Sequence, residues 1–378
     1  MFRLFSGSSP WCSVLYLSAA VLAGGCGQSS TEGAAGAAAS AGSESTPVVG
    51  DTITPEERQA VEAFYRSKTV RIVVGSGAGG GFDTTARLVA RHLTKHIPGQ
   101  PTVIVENMPG GGGLVAANHM FYAAPKDGTV IGIFHESQVF NQWTQMPGVQ
   151  FDLRQFNWLG SSYDDPNVCI VRTDAPFDSF KQLIGSDAPM AVGGTGPGSN
   201  TYDVPRVLAA TTGANLKSVP GYPTSNDVRI GMERGELHGI CFGWESVRST
   251  AAQWLESKYV QVIVQNGSTP HPDLPDVPLA QEFAKDEESR TLLRLVDAPG
   301  AMAKPFAVPP GVDPARVRAL RSALAATFQD PTFQQEANVL HLVFQPKTAA
   351  EIQQILDDVL HAPPEYAAKY KKIIEPES

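Results

Sequence analysis

The sequence predicts an α/β fold of two lobes, the second inserted into the first, with a ligand cleft between them. Three observations predict it. Short β-branched runs alternate with helical stretches. Glycine-rich loops fall between a strand and the following helix three times. The alternation restarts midway along the chain and then gives way to a mostly helical last hundred residues. The 378 residues allow two or three domains at roughly 150 residues each. Hydrophobic residues at 42% and charged residues at 18% exclude a charge-rich disordered chain and supply a sizeable core. A net charge of −9 argues against a nucleic-acid binder that works through a basic face.

The first fifty residues read as an address and a tether. Residues 1–25 have the pattern of an export signal: Arg3, an apolar stretch clearest over 14–23, then Leu22-Ala23-Gly24-Gly25-Cys26. Small residues before a cysteine resemble a bacterial lipobox, in which Cys26 is acylated; an ordinary signal peptide is the alternative. Ser, Gly and Pro interrupt the segment, which disfavours a membrane span of roughly 20 apolar residues. No later segment has that character, so the remainder is expected to be soluble. Residues 26–50 are rich in Gly, Ala, Ser and Thr and read as a flexible tether. Export places Cys169 and Cys241, both in predicted strands, in an oxidising compartment. A disulfide between them and two separate buried thiols both remain open.

Thr54, Pro55 and Glu57 form a helix start with a capping box. Residues 69–74 read as a strand, the loop 75–81 leads into a helix over 82–96, and 102–106 is the next strand. The loop 107–113 precedes a helix over 114–124, and Lys126-Asp127-Gly128 turns into a strand over 129–134. This order implies right-handed crossovers and a mainly parallel sheet. The pattern repeats: strands over 168–171, 191–193, 216–219, 239–242 and 260–265, and helices over 199–212 and 245–258, with Pro205 a possible kink. Asp313-Pro314 and Asp330-Pro331 start helices, and Thr348 with Glu351 forms a second capping box. The stripes Val317, Leu320, Leu324, Phe328 and Ile352, Ile355, Leu356, Val359 are core. Regions 157–171 and 242–264 are the expected crossings. They divide the chain into lobe 1 (51–160 and 260–378) and lobe 2 (161–259), joined by two connections that permit hinge closure.

The glycine loops carry the chemistry. Gly75-Ser76-Gly77-Ala78-Gly79-Gly80-Gly81-Phe82-Asp83 lets backbone approach a ligand, and the helix behind it presents free N–H groups and the positive end of its dipole. Together these make an anion site. Asn107-Met108-Pro109-Gly110-Gly111-Gly112-Gly113 and Gly194-Thr195-Gly196-Pro197-Gly198-Ser199-Asn200 repeat the device at strand carboxyl ends, where open sheets bind ligands. A rival reading takes Gly75, Gly77 and Gly80 with Glu106 as the fingerprint of an NAD-dependent enzyme. Glu106 lies beyond the usual spacing, and two further loops and the export signal stand outside that reading. Phosphate-loop, zinc-protease and nucleophile-elbow motifs are missing from the sequence. His92 and His96 flank Lys95 on a predicted solvated face rather than forming a metal site. A surface adhesion lipoprotein is a third class.

The ordered blocks resemble the substrate-binding proteins of tripartite tricarboxylate transporters, the Bug-type receptors. The first loop through Arg87 resembles their A-G-G-x-x-D-x-x-A-R run. Val105-Glu106-Asn107-Met108-Pro109-Gly110-Gly111-Gly112 resembles V-E-N-R-P-G-A-G. Ala124-Pro125-Lys126-Asp127-Gly128-Thr129, Gly196-Pro197-Gly198-Ser199, Val219-Pro220-Gly221-Tyr222, Leu274-Pro275-Asp276-Val277-Pro278 and Val308-Pro309-Pro310-Gly311 follow in family order. The resemblance implies a type II-like periplasmic-binding-protein fold and capture of a small organic anion for a two-component permease. It implies no chemistry and no cofactor. Localisation would be periplasmic or cell-surface, membrane-anchored through lipid, with the receptor a monomer. The chain departs from the pattern at Gly75-Ser76, Tyr202, the missing lysine near Tyr222, and Trp244-Glu245, so its ligand can differ from a simple dicarboxylate.

The expected ligand set follows. N–H groups of Gly79, Gly80 and Gly81, with Ala78 beside them, face a carboxylate, and Gly110 and Gly111 frame it. Ser137 lies beyond the third strand. Thr195, Ser199 and Asn200 reach from the second lobe, and Tyr222 and Trp244 supply a wall. Asp83 is expected to hold the first loop in place, paired with Arg87, rather than to touch the anion. Glu245 either meets a ligand amine or only starts a helix.

Overall fold

The computed structural model describes residues 52–340, 342 and 344–375. The expected export signal and tether, with Cys26, lie outside the described residues. Among the described residues, ten strands form two five-stranded sheets. In chain order they are β1 (Thr69–Val74), β2 (Thr102–Asn107), β3 (Val130–Ile133), β4 (Asn157–Gly160), β5 (Asn167–Arg172), β6 (Met190–Gly193), β7 (Leu216–Val219), β8 (Gly239–Gly243), β9 (Val260–Gln265) and β10 (Phe306–Val308). The first sheet has the order β2-β1-β3-β10-β4 and the second β7-β6-β8-β5-β9. Val70, Ile72, Val73 and Val74 of β1 are all buried, as expected of a strand covered on both faces by crossover helices. The Thr54–Glu57 capping box opens the helix Pro55–Tyr65. Asp313 and Asp330 cap the helices Pro314–Gln329 and Pro331–Val339.

The sheets are mixed, not mainly parallel. β1 runs parallel to β2 and β3, and β6 parallel to β7 and β8. β10 runs antiparallel to β3 and β4, and β5 antiparallel to β8 and β9. These two are the strands by which the chain enters a sheet from the other lobe. Neither arrives through the helical crossover that a parallel neighbour requires.

The second lobe also extends past the expected boundary at 259. β9 pairs with β5 from Val168↔Gln265 to Arg172↔Val260, so the chain recrosses after Gln265 rather than within 242–264. The helices Glu287–Asp297 and Pro364–Ile374 pack on Asn200–Thr212 of the second lobe. The C-terminal helix is fastened there by Tyr370 and by Arg206, whose Nε donates to the Ile373 carbonyl at 2.7 Å. The expected single helix over 245–258 is two, Trp244–Thr250 and Ala252–Glu256, broken where Ala251 leaves helical geometry. Pro205 is accommodated inside Asn200–Thr212.

Cys169 and Cys241 form a disulfide. They are direct partners in the β5/β8 register, with Cα atoms 4.0 Å apart. The two connections between the lobes lie side by side. Ser162 N donates to Ala303 O, Ala303 N to Tyr163 O and Asp165 N to Gly300 O, each at 3.0 Å.

Candidate ligand-binding cleft

The strand carboxyl ends and the two connections surround a cavity of about 290 Å³. From the first lobe it is lined by Phe82, Gly112, His135, Glu136 and Ser137, and from the second by Thr195, Gly198–Asn200, Thr201, Ser225, Phe242, Gly243 and Ser246. Asp165, Ala303 and Lys304 enter from the connections. Four members of the expected ligand set therefore come together here: Ser137, Thr195, Ser199 and Asn200.

The other expected residues do not line this cavity, and their contacts explain why. The Gly79 N–H donates to Asp83 Oδ2 at 2.8 Å, so that amide is taken by the loop's own aspartate. Gly80 caps the helix Gly81–Leu93 with no side-chain bond. Gly81 stands near the cavity only through Lys304, whose Nζ would lie 3.4 Å from a Cβ built on it. Ala78 belongs to the same exposed turn. Gly110 and Gly111 are exposed, and the turn presents Gly112 instead. The Gly112 carbonyl accepts from Gln138 Nε2 at 2.8 Å. The Tyr222 hydroxyl donates to Glu236, and the Trp244 indole to Asp273.

Asp83 is 3% exposed and accepts from Gly79 N, Arg87 Nε and Asn107 Nδ2. Burial pushes its carboxyl up, but the bonds from Arg87, Gly79 and Asn107 outweigh this and hold it below the usual range. It braces the loop. Glu245 starts its helix yet does more: its Oε2 accepts from Tyr163 Oη at 3.0 Å and from Lys304 Nζ at 3.1 Å. That buried ion pair ties the second lobe to the returning connection.

The hydroxyls of the third loop form a closed set. Thr195 Oγ1 donates to Ser199 Oγ at 2.8 Å, and Ser199 Oγ donates to the Gly196 carbonyl at 2.6 Å. Thr201 Oγ1 accepts from Thr195 N at 3.1 Å. Asn200 Nδ2 reaches across the cleft to Glu136 Oε1 at 3.2 Å, while Glu136 Oε2 is buried without a partner.

The electrostatics turn on residues that carry no sequence motif. Lys304, 4% exposed with backbone φ of 49°, sits with Nζ 4.7 Å from the Tyr163 ring centre and 5.6 Å from that of Phe82. Burial and the Glu245 carboxylate push Asp165 up to about 8, so at neutral pH it is largely protonated and can donate. His135 stacks on Phe82 at 3.9 Å between centroids, and burial pushes its imidazole down, keeping it neutral. The cavity thus offers an ammonium, hydroxyls, an amide and a neutral carboxylic acid, and Glu136 also stands on its wall. Among the described residues, no group of three or more His, Cys, Asp or Glu is placed to hold a metal ion. Glu106, the ribose acid of the dinucleotide reading, is paired with Arg71 at 2.9 Å.

Two sheets around a shared cavity, joined by two adjacent connections, define the periplasmic-binding-protein-like class. Residues 85–361 match the model of the tripartite tricarboxylate transporter family receptor, and the chain belongs to that family. A relative in Pseudomonas sp. (strain P51), the UPF0065 protein in the tcbD-tcbE intergenic region, is 27% identical over 238 residues, covering 62% of this chain and 68% of that protein. The chain spans about two thirds of the length of this and a second curated relative. The solved structure of the periplasmic binding protein BugD superposes with a TM-score of 0.63 at 22% identity, covering 83% of this chain and 100% of the other. MatC of Rhodopseudomonas palustris, solved with bound malate, gives 0.60 at 21% identity, covering 82% of this chain and 99% of the other.

Proposed function

We propose that this chain is an extracytoplasmic solute receptor that captures a small organic carboxylate in the cleft, without transforming it. It then delivers the ligand to a two-component membrane permease. The observation that carries this reading is the buried Lys304 ammonium on a cavity to which both lobes contribute hydroxyl and amide donors. A carboxylate bound there meets Lys304, the Ser137 hydroxyl, the second amide N–H of Asn200, and protonated Asp165. Hydrogen bonds to a charged group are worth about 1.5–3 kcal/mol each. Three or four, less the losses on binding, support a micromolar constant. Family membership and the malate bound by MatC support the same ligand class. Closure brings Asn200 against Glu136 and shuts the ligand from water. Lipid on Cys26 and the tether would keep the receptor near its permease in the periplasm or at the cell surface.

Calorimetry of the mature protein with malate, succinate and adipate tests this. Binding in the micromolar range is expected, weakened at least about tenfold in Lys304→Met, with a melting curve confirming that the variant is folded. No heat from any mono-, di- or aromatic carboxylate would overturn the reading. Mass spectrometry of the exported protein tests the anchor: a lipid-bearing Cys26 at the new amino terminus is expected, and an unmodified terminus rejects it.

A further inference from the structure

A second cavity, of about 300 Å³, lies apart from the ligand cleft where the two connections meet the end of the second sheet. Its walls come from 164–167 of the outgoing connection, from the loop 266–272 after β9, from 294–301 before the return to the first lobe, and from Gln345. Two asparagines dominate its polar surface. Asn167 and Asn266 are 8% and 3% exposed. They stand directly opposite each other, one step beyond the Val168↔Gln265 pair, with Asn266 N donating to Asn167 O at 2.8 Å. Opposite residues of antiparallel strands point to one face, about 5 Å apart at Cβ. Both line the cavity, and the amide oxygen of each is buried with no hydrogen-bond partner. A buried acceptor left unpaired is costly; two on one face make a standing demand for donors.

The surroundings choose the donor. Asn266 Nδ2 donates to Asp297 Oδ1 at 2.6 Å, which sets Oδ1 as the free atom of that amide. Asp297 also accepts from Gly267 N at 3.1 Å. The exposed Asp164 puts a carboxylate on the lining, and burial pushes Asp297 up to about 7, so that it is partly ionised at neutral pH. Arg294 stands at the rim, its Nη2 turned to Glu287 at 3.4 Å and Thr291 at 3.0 Å. Burial pushes His271 down, so it adds no positive charge at neutral pH. Pro166, Pro270 and Pro272 supply an apolar wall.

We propose that this cavity is a second ligand site that takes a small primary alkylammonium, two of its N–H groups reaching the amide oxygens of Asn167 and Asn266. The alkyl part packs on the prolines. The site is independent of the cleft and of the carboxylate that the cleft takes. It lies against the segments that bend when the lobes close.

The test is side-chain amide NMR of the whole mature protein labelled with ¹⁵N at asparagine. The two probes are n-butylammonium chloride and tetramethylammonium chloride, which has the same charge but no N–H donor. The Asn167 and Asn266 signals, assigned with Asn167→Ser and Asn266→Leu, are expected to shift saturably with butylammonium at a millimolar constant and to stay still with tetramethylammonium. In Asn167→Ser the affinity should drop at least about tenfold. No saturable shift by about 50 mM butylammonium, as when ordered water alone satisfies the two oxygens, overturns the proposal. An equal response to both cations overturns it too. The wild-type comparison decides even where Asn266→Leu does not fold.

Discussion

In the first lobe, the loop before the helix Gly81–Leu93 is braced by an aspartate inside that helix, Asp83, which accepts from the Gly79 N–H at 2.8 Å. In the second lobe, Asp203, inside the helix Asn200–Thr212, accepts from the Gly198 N–H at 3.2 Å. Gly79 and Gly198 have φ of 82° and 85°, a region that a side chain strains. The device is the same and the charge is not. Asp83 has Arg87 as a neighbour and stays ionised. Asp203 is 5% exposed and takes its second bond from Tyr370 Oη at 3.0 Å, and burial pushes it up to about 7. One loop is therefore held by a charge at any ordinary pH. The other is held by a group that titrates near neutrality. A second contrast lies beneath it: among the described residues, only the second sheet carries a disulfide.

The largest break in this comparison comes from that crosslink. Its two cysteines are 72 residues apart, and closing a loop of that length stabilises a fold by about 4 kcal/mol in the chain-entropy model. Cys169→Ala/Cys241→Ala should lose about this much in urea unfolding; an unchanged midpoint would show that the second sheet does not depend on it. Next is Asp83→Asn. It sets an amide N–H₂ among three donors and removes the partner of Arg87, so a loss of about 2 kcal/mol is expected. A change under about 0.5 kcal/mol would remove Asp83 from its bracing role.

The smallest effect sharpens the contrast. Asp203→Asn resembles the protonated acid and should cost under about 1 kcal/mol at pH 6. Its value is in the pH profile. The folded pKa of Asp203 is raised, so the wild type has this stability in full below the unfolded value near 4 and loses it as pH rises through about 7. Tyr370 and Arg206 are the groups that face it. The variant lacks this loss, so its stability relative to wild type should improve from pH 5 to pH 8. Asp83 has the opposite sign: its contribution is present above the unfolded value and lost as pH falls through the lowered folded one. Parallel profiles for wild type and Asp203→Asn would remove the distinction between the two loops.

Strands were legible where their runs are short, β-branched and bounded by glycine or turns: β1, β7 and β9 fall where the pattern puts them, while the short β4 and β10 were not read. Helix starts were legible where Thr-Glu or Asp-Pro marks them. Strand direction was not: β5 looks like any other strand locally, and only its route into the sheet sets its sense. The cleft was half legible. Thr195, Ser199 and Asn200 follow a glycine loop, but Lys304 and Asp165 lie in connections without periodicity. Asn107, met as part of a glycine loop, braces Asp83 instead. Nothing in the pattern around Lys304 marked it, since the short strand Phe306–Val308 beside it was not read from the sequence either.

The paired connections limit how the receptor can move. Hydrogen bonds from Ser162, Ala303 and Asp165 lace outgoing and returning chain into one ribbon. A ribbon flexes readily across its flat face and resists twisting and sideways shear. Any movement of the halves is therefore expected to follow one axis, like the covers of a book on its spine, so that the mouth between them keeps one orientation.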